Sequence, residues 1–203
     1  MLRVILPLVL FGVVAVGGFA LLGGGGDGED CQLPGVRPGL CPTPAEERTQ
    51  APTDALPVVG EDEVERSLEE LRGELVVLNF WASWCGPCRT EQPDLNEAHE
   101  VLAGQGVSFL GVNIEDTEPN AVAHQREFEI PYESLYDARN AYASRFSGVG
   151  PRTIPTTVFI DEEGRVAARL FGSPRDATEI VALVEHLQAG TDGASAAPAP
   201  DGS

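Results

Sequence analysis

Apolar residues run almost unbroken through Leu75-Val76-Val77-Leu78-Asn79-Phe80-Trp81. Such a run predicts a strand covered on both faces. Val107 to Ile114 (VSFLGVNI) repeats the pattern and predicts a second buried strand. Between them, Cys85 to Ala103 reads as a helix. Thr117 to Phe128 predicts another helix, with Asp116 or Thr117 placed to cap it, and Ala138 to Phe146 a further short one. Thr156 to Ile160, then Asp161 to Gly164, then Arg165 to Phe171 predict a β-hairpin closed by an acidic turn that contains Gly. The last helix spans Pro174 to Gln188 and gathers Ile180, Leu183, Val184 and Leu187 on one face. Strands alternating with helices, then a hairpin and a closing helix, predict an α/β domain over residues 56–189. Its expected form is three layers, α/β/α, around a mixed central sheet.

The flanks have a different texture. Residues 1–22 carry an uncharged, mostly apolar run from Val4 to Leu22, with Arg3 before it and Asp27, Glu29 and Asp30 after it. That run would span roughly 28 Å as a helix, close to the thickness of a bilayer core. Its flanking charges place the rest of the chain outside the cytoplasm. The alternative is a signal peptide cleaved near Gly18-Phe19-Ala20; the length of the run favours a retained single-pass anchor. Both readings export the domain. Cys31 follows Glu29-Asp30 rather than small apolar residues, which argues against a lipoprotein. Residues 23–55 are rich in Gly, Pro, Thr and acid and read as a flexible linker. Cys31 and Cys41 within it are candidates for a structural disulfide, with a redox relay and intermolecular pairing as alternatives. Residues 190–203 (GTDGASAAPAPDGS) read as a disordered tail.

Charge narrows the function further. The 203 residues hold 32 Asp and Glu against 13 basic residues, every one of them Arg, for a net charge of -19. An acidic chain without a basic cluster is a poor match for nucleic-acid phosphates, so no nucleic-acid partner is expected. A hydrophobic content of 42% argues for a folded body rather than a disordered one.

The candidate chemistry lies where the first buried strand hands over to its helix, in Trp84-Cys85-Gly86-Pro87-Cys88. Cys85 would occupy the helix N-terminus, where unpaired N–H groups and the helix dipole favour a thiolate. Cys88 lies one turn on, within disulfide reach. Cys85 is therefore the expected attacking, partly exposed thiol and Cys88 the resolving one. Trp84 would wall the site, and Pro87 would restrict the backbone between the cysteines. A zinc half-site needs two further ligands, and His99, His124 and His186 are not paired at ligand spacing. No metal and no cofactor are expected.

These residues carry a family resemblance. Asn79 to Cys88 (NFWASWCGPC) resembles the thioredoxin active-site segment, and Thr153 to Asp161 (TIPTTVFID) the cis-proline strand of that superfamily. Within it the chain most resembles TlpA/ResA-like extracytoplasmic thiol–disulfide oxidoreductases. The supporting features are Cys88-Arg89-Thr90-Glu91-Gln92-Pro93, Leu68 to Gly73, and a stretch from Gly111 to Phe146 in the place of the TlpA-type insertion. The resemblance implies a thioredoxin-like fold and dithiol–disulfide exchange with protein thiols. It also implies a membrane electron donor of the thiol-transporter type and, as one client, the cysteines of apocytochrome c. Pro155 is expected to be cis beside the disulfide, and Gly86, Pro87, Ile154 and Pro155 to contact substrate beside Trp84. Ile154 before that proline favours a reductant. Glu91 falls three residues after Cys88, on the same helical face, as a candidate proton carrier for Cys88. Asn79 stands where ordinary thioredoxins carry a buried Asp, so Glu91 is the carboxylate left for the task. Arg89 is expected to face solvent, Pro93 to kink the helix, and Tyr132, Tyr136 and Tyr142 to pack the insertion. Three functions stay open: a reductase of protein disulfides, an oxidase that forms them, and a redox-idle client-binding module.

Overall fold

The computed structural model describes residues 32–195, with side chains described as far as residue 190. The apolar segment 1–22, Cys31 and residues 196–203 lie outside the described residues.

The two strands read from continuous apolar runs and the first strand of the expected hairpin form the middle of the sheet. They are β3 (Leu75–Trp81), β4 (Val107–Ile114) and β6 (Thr156–Ile160), preceded by a two-residue pair, β1 (Leu56–Pro57) and β2 (Glu65–Arg66). With β5 (Ser134–Asp137) and β7 (Val166–Phe171) they make a five-stranded sheet in the order β5-β4-β3-β6-β7. β3, β4 and β5 are parallel, whereas β6 is antiparallel to β3 and β7 to β6. The sheet is therefore mixed, as expected, in a thioredoxin-like arrangement.

Strand alternation sends one set of side chains to each face. Leu75 and Val77 of β3 join Leu95, Ala98 and Leu102 of α1 (Gly86–Leu102) and Ile180, Leu183, Val184 and Leu187 of α3 (Ala177–Ser195) in one buried cluster. Val76, Leu78 and Phe80 face the other way, onto Ala51, Leu68, Tyr142, Phe146 and Val149. α2 (Glu118–Glu127) lies beside α1. The layer opposite the helices is thus built from short 3-10 turns and irregular chain.

Three local expectations are corrected. Residues 32–55 are no flexible linker: Val36 and Leu40 are buried against α3 in the core cluster. The Thr43 N–H donates to the Ala167 carbonyl, and the Ala51 N–H to that of Gly164. Two apolar anchors were hidden among Gly, Pro and acid, and the segment is a belt around the domain. The Ala138 to Phe146 helix reduces to a 3-10 turn at Ala143–Arg145. Asp137 draws the N–H groups of Ala141, Tyr142 and Ala143 onto its own carboxylate, in competition with helical bonding. The closing helix runs on to Ser195, so the first residues of the expected tail are helical.

β5 was not read from the sequence. Its four residues pair with β4 on one side, and Leu135 bridges Val58 on the other. Gly111 of β4 makes room at this edge: a Cβ there would lie 2.8 Å from Trp81 Nε1 and would collide with the Ser134 hydroxyl. Trp81 Nε1 donates to that hydroxyl (3.3 Å).

Candidate active site

β3 delivers its chain at the carboxyl edge of the sheet, where α/β folds place ligands. After Trp81 the chain turns through Ala82, Ser83 and Trp84 into α1. Cys85 is the N-cap, with extended backbone, and its Sγ accepts from the Cys88 N–H at 3.2 Å. Pro at the start of the helix lacks only a donor that has no intrahelical partner there. Cys85 and Cys88 form a disulfide with Cα atoms 5.3 Å apart. Cys85 is 4% exposed and Cys88 1%, so the expected partly exposed thiol is almost covered in the oxidised state. Trp81, Ala82, Val59 and Ala121 pack around the pair, with Ile154 and Tyr136 at the margin.

The rim is exposed. Gly86 and Pro87 face solvent, and the Trp84 ring is 53% exposed. The turn after β4 fixes this rim. Glu115 takes a positive φ of 45°, and its carbonyl accepts from the Trp84 indole N–H at 2.9 Å. The next carboxylate, Asp116, accepts from the Ser83 N–H (2.6 Å) and hydroxyl (2.9 Å), from Asn113 (3.1 Å) and from the Thr117 N–H (2.8 Å). Burial pushes the Asp116 carboxyl up, but these bonds outweigh it and hold it below the usual carboxylate range. The sequence marked Asp116 only as a helix cap; its position at the end of a buried parallel strand is the signal that it serves the site.

The Ile154–Pro155 peptide bond is cis. Pro155 is buried, and its carbonyl accepts from the Gly172 N–H at 2.9 Å. That bond draws the 172–176 turn to the site, where the Ser173 hydroxyl donates to the Pro87 carbonyl at 3.5 Å.

Glu91 lies one turn beyond Cys88 and is 1% exposed. Its Oε1 accepts from Asn79 Nδ2 at 2.8 Å, and the same amide donates to Thr157 at 3.2 Å. Burial pushes the Glu91 carboxyl up to about 8, against the opposing hydrogen bond from Asn79 and the nearby Ser173 hydroxyl. The carboxyl is therefore poised between its two forms near neutral pH.

Arg89 is half-buried rather than solvent-facing. It pairs with Glu127 (2.5 Å), approaches His124 Nδ1 (3.4 Å) and lies 4.8 Å over the Phe128 ring, fastening α2 to α1. His124 stacks on Trp81 with centroids 4.5 Å apart. Burial, and then Arg89, lower its pKa to about 4, so it is neutral packing at physiological pH. The tyrosines pack the insertion as read: the Tyr142 hydroxyl donates to the Pro52 carbonyl and that of Tyr136 to the Asp116 carbonyl. α1 continues through Pro93. Cys41 is disulfide-bonded. Among the described residues no cluster of His, Cys, Asp and Glu is arranged to hold a metal, and no helix is long and apolar enough to cross a membrane.

Comparison with known proteins supports the same chemistry. A model of the AhpC/TSA family matches residues 48–169. The thiol-disulfide oxidoreductase ResA of Geobacillus thermodenitrificans is 35% identical over 109 residues, 54% of this chain and 61% of that protein. The thiol:disulfide interchange protein HelX of Rhodobacter capsulatus is 35% identical over 120 residues, 59% of this chain and 64% of that protein. The chain therefore spans less than two thirds of the length of either relative. A solved DsbF homologue from Corynebacterium diphtheriae superposes with a TM-score of 0.65 at 30% identity, over 71% of this chain and 90% of that one. A secreted thiol-disulfide isomerase from Corynebacterium glutamicum gives 0.66 at 30%, over 71% and 89%.

Proposed function

Because the chain belongs to the AhpC/TSA family, as a ResA-like member of the thioredoxin superfamily, we propose that it reduces disulfides of exported proteins by thiol–disulfide exchange at Cys85 and Cys88. The observation that carries this reading is the Cys85–Cys88 disulfide at the N-terminus of α1, beside cis-Pro155 and under an exposed Trp84.

The cycle starts from the dithiol. The Cys85 thiolate, favoured by the helix N-terminus, attacks one sulfur of the substrate disulfide. A Cys85–substrate bond forms, and the other substrate sulfur leaves as a thiolate and takes a proton. Cys88 gives its proton to the Glu91 carboxylate and attacks Cys85 Sγ. The Cys85–Cys88 bond closes, and the second substrate sulfur departs as a thiolate that takes a proton from solvent. Two electrons have passed to the substrate, and the oxidised state seen here remains. An external dithiol donor, which we place in the membrane as a thiol transporter, resets it. An acid with a pKa near 8 suits this transfer, because its conjugate base is populated near working pH and still basic enough to accept a thiol proton. Trp84, Gly86, Pro87 and Ile154, backed by the buried Pro155, form the surface on which an extended client segment lies. Apocytochrome c cysteines are the client class we favour, and the N-terminal apolar segment supports an extracytoplasmic, membrane-tethered location.

The test is the reduction potential of the Cys85/Cys88 couple, titrated against dithiothreitol and glutathione. A value near −270 mV, about that of thioredoxin, is expected. A value near −120 mV, about that of the oxidant DsbA, makes the protein a disulfide-forming oxidase instead. Full client function in a Cys85→Ser variant would leave only a binding module.

A further inference from the structure

The two oxygens of the buried Glu91 carboxyl have different surroundings. Oε1 is held by Asn79 Nδ2, which can only donate. Oε2 is buried with no partner at hydrogen-bond distance. When Glu91 is neutral its proton therefore belongs on Oε2, and a buried O–H needs an acceptor. When Glu91 is ionised, Oε2 needs a donor. A hydroxyl can be either, and the Ser173 hydroxyl faces this carboxyl.

We propose that Ser173 is the partner of Glu91 Oε2 in both protonation states, and that Arg37, in the belt, is the residue that positions it. With Glu91 neutral, Ser173 Oγ closes on Oε2 and accepts its proton while sending its own to the Pro87 carbonyl, which lies 3.5 Å away in this oxidised state. With Glu91 ionised, the hydroxyl rotates and donates to Oε2. One torsion thus links the protonation of Glu91 to the backbone between the two cysteines.

The position of Ser173 is set from outside the family's matched region. Arg37 Nη2 donates to the Ser173 carbonyl at 2.8 Å. Arg37 is itself locked onto Glu179, which is 0% exposed, through its N–H (2.9 Å), Nε (3.0 Å) and Nη2 (2.5 Å). The other end of the turn is held by the Gly172 N–H on the Pro155 carbonyl. The groups facing Glu91 are Asn79 from β3, Asp94 from its own helix, Tyr132, whose hydroxyl oxygen already accepts from Gln92, and Ser173.

This inference rests on Glu91 as the proton carrier, and the experiment separates the two. The Glu91 carboxyl is titrated by carbon-13 NMR in the full, oxidised chain, its resonance identified with Glu91→Gln. Removing a hydrogen bond to the charged form raises a carboxyl, so Ser173→Ala is expected to move the midpoint up by about one pH unit. Ser173→Thr keeps the hydroxyl and is expected to restore the wild-type midpoint. Arg37→Gln is expected to move it the same way, and the double variant Ser173→Ala with Arg37→Gln no further than Ser173→Ala alone. An unmoved midpoint in Ser173→Ala, or an equal shift in Ser173→Thr, overturns the role of Ser173. An unmoved midpoint in Arg37→Gln overturns the positioning role. A wild-type midpoint near the ordinary 4.5 overturns instead the reading of Glu91 as proton carrier.

Discussion

Replacing Glu91 with Gln removes an ionisable group from the core while keeping its size and its contact with Asn79. The effect on stability depends on pH in a direction that the burial dictates. Glu91 titrates at about 8 in the folded chain, against 4.5 for an unburied carboxyl. A folded pKa above the unfolded one means that the stabilising, neutral form is complete below pH 4.5. Its contribution is then lost as pH rises through 8. Linkage sets the slope at about 1.4 kcal/mol per pH unit and the whole loss at about 5 kcal/mol. His124 acts oppositely: its lowered pKa costs stability as pH falls from 6.5 towards 4, but it is present in both proteins and cancels in their difference.

The assay is urea unfolding of the oxidised wild type and Glu91→Gln at pH 5, 6.5 and 8.5. At pH 5 the two should be within about 1 kcal/mol, since a neutral acid and an amide are near-isosteres. By pH 8.5 the variant should be the more stable by several kcal/mol, with most of the change above pH 5. A difference that stays constant across the series would show that Glu91 is not held neutral by its surroundings, and the proton-transfer step drawn from it would fail.

Other perturbations test separate parts of the molecule. Gly111→Ala would drive a methyl into Ser134 and Trp81, costing about 1–3 kcal/mol as overpacking; thermal unfolding measures it, and an unchanged Tm would refute the close approach. Trp84→Ala should leave stability within about 0.5 kcal/mol, because the ring is 53% exposed, yet raise KM for a protein disulfide several-fold at unchanged reduction potential. Asp116→Ala removes the acceptor of both Ser83 groups and should slow exchange about tenfold while loosening Trp84, seen as a shift of its fluorescence. Cys88→Ser should trap the mixed disulfide between Cys85 and substrate, visible by mass spectrometry; its absence with a competent substrate would reverse the assignment of attacking and resolving thiols.

The sequence was most informative where burial alone decides structure. β3 and β4 agree residue for residue with their apolar runs, because a strand covered on both faces must be apolar throughout, and β6 agrees with the first arm of the expected hairpin. β5 escaped: four residues carry too little periodicity, and their conformation is imposed by β4 beside them. At the site, the cysteine pair, Pro155 and Glu91 were marked through the motifs that carry the family resemblance, Glu91 also by its spacing on a helix. Ser173 was not, since its contact with Pro87 joins residues 86 apart and no local pattern announces it. Arg89 was misread because its partners, Glu127, His124 and Phe128, belong to another helix.

The belt was misread for a more instructive reason: its hold on the domain is non-local, and part of it is ionic. Two buried carboxylates, Glu179 and Asp161, each take one arginine from four residues away along the chain and one from the belt. Arg175 and Arg37 meet on Glu179, and Arg165 and Arg48 on Asp161. Neither belt arginine stands out in a composition whose only cations are arginines. Their removal has a calculable consequence. A chain beginning at residue 49 loses Arg37, Arg48, Val36 and Leu40, and leaves Glu179 with an arginine whose side chain is 53% exposed. Each carboxylate keeps its nearer arginine, so losing the belt arginine costs less than breaking a buried pair, while each lost apolar anchor costs about 1.5–3 kcal/mol. The shortened chain should therefore unfold at a urea concentration lower by about one molar or more, given about 1–3 kcal/mol per molar for a small domain. Equal midpoints would mean that the belt only lies on the surface, and the positioning of Ser173 by Arg37 would lose its foundation.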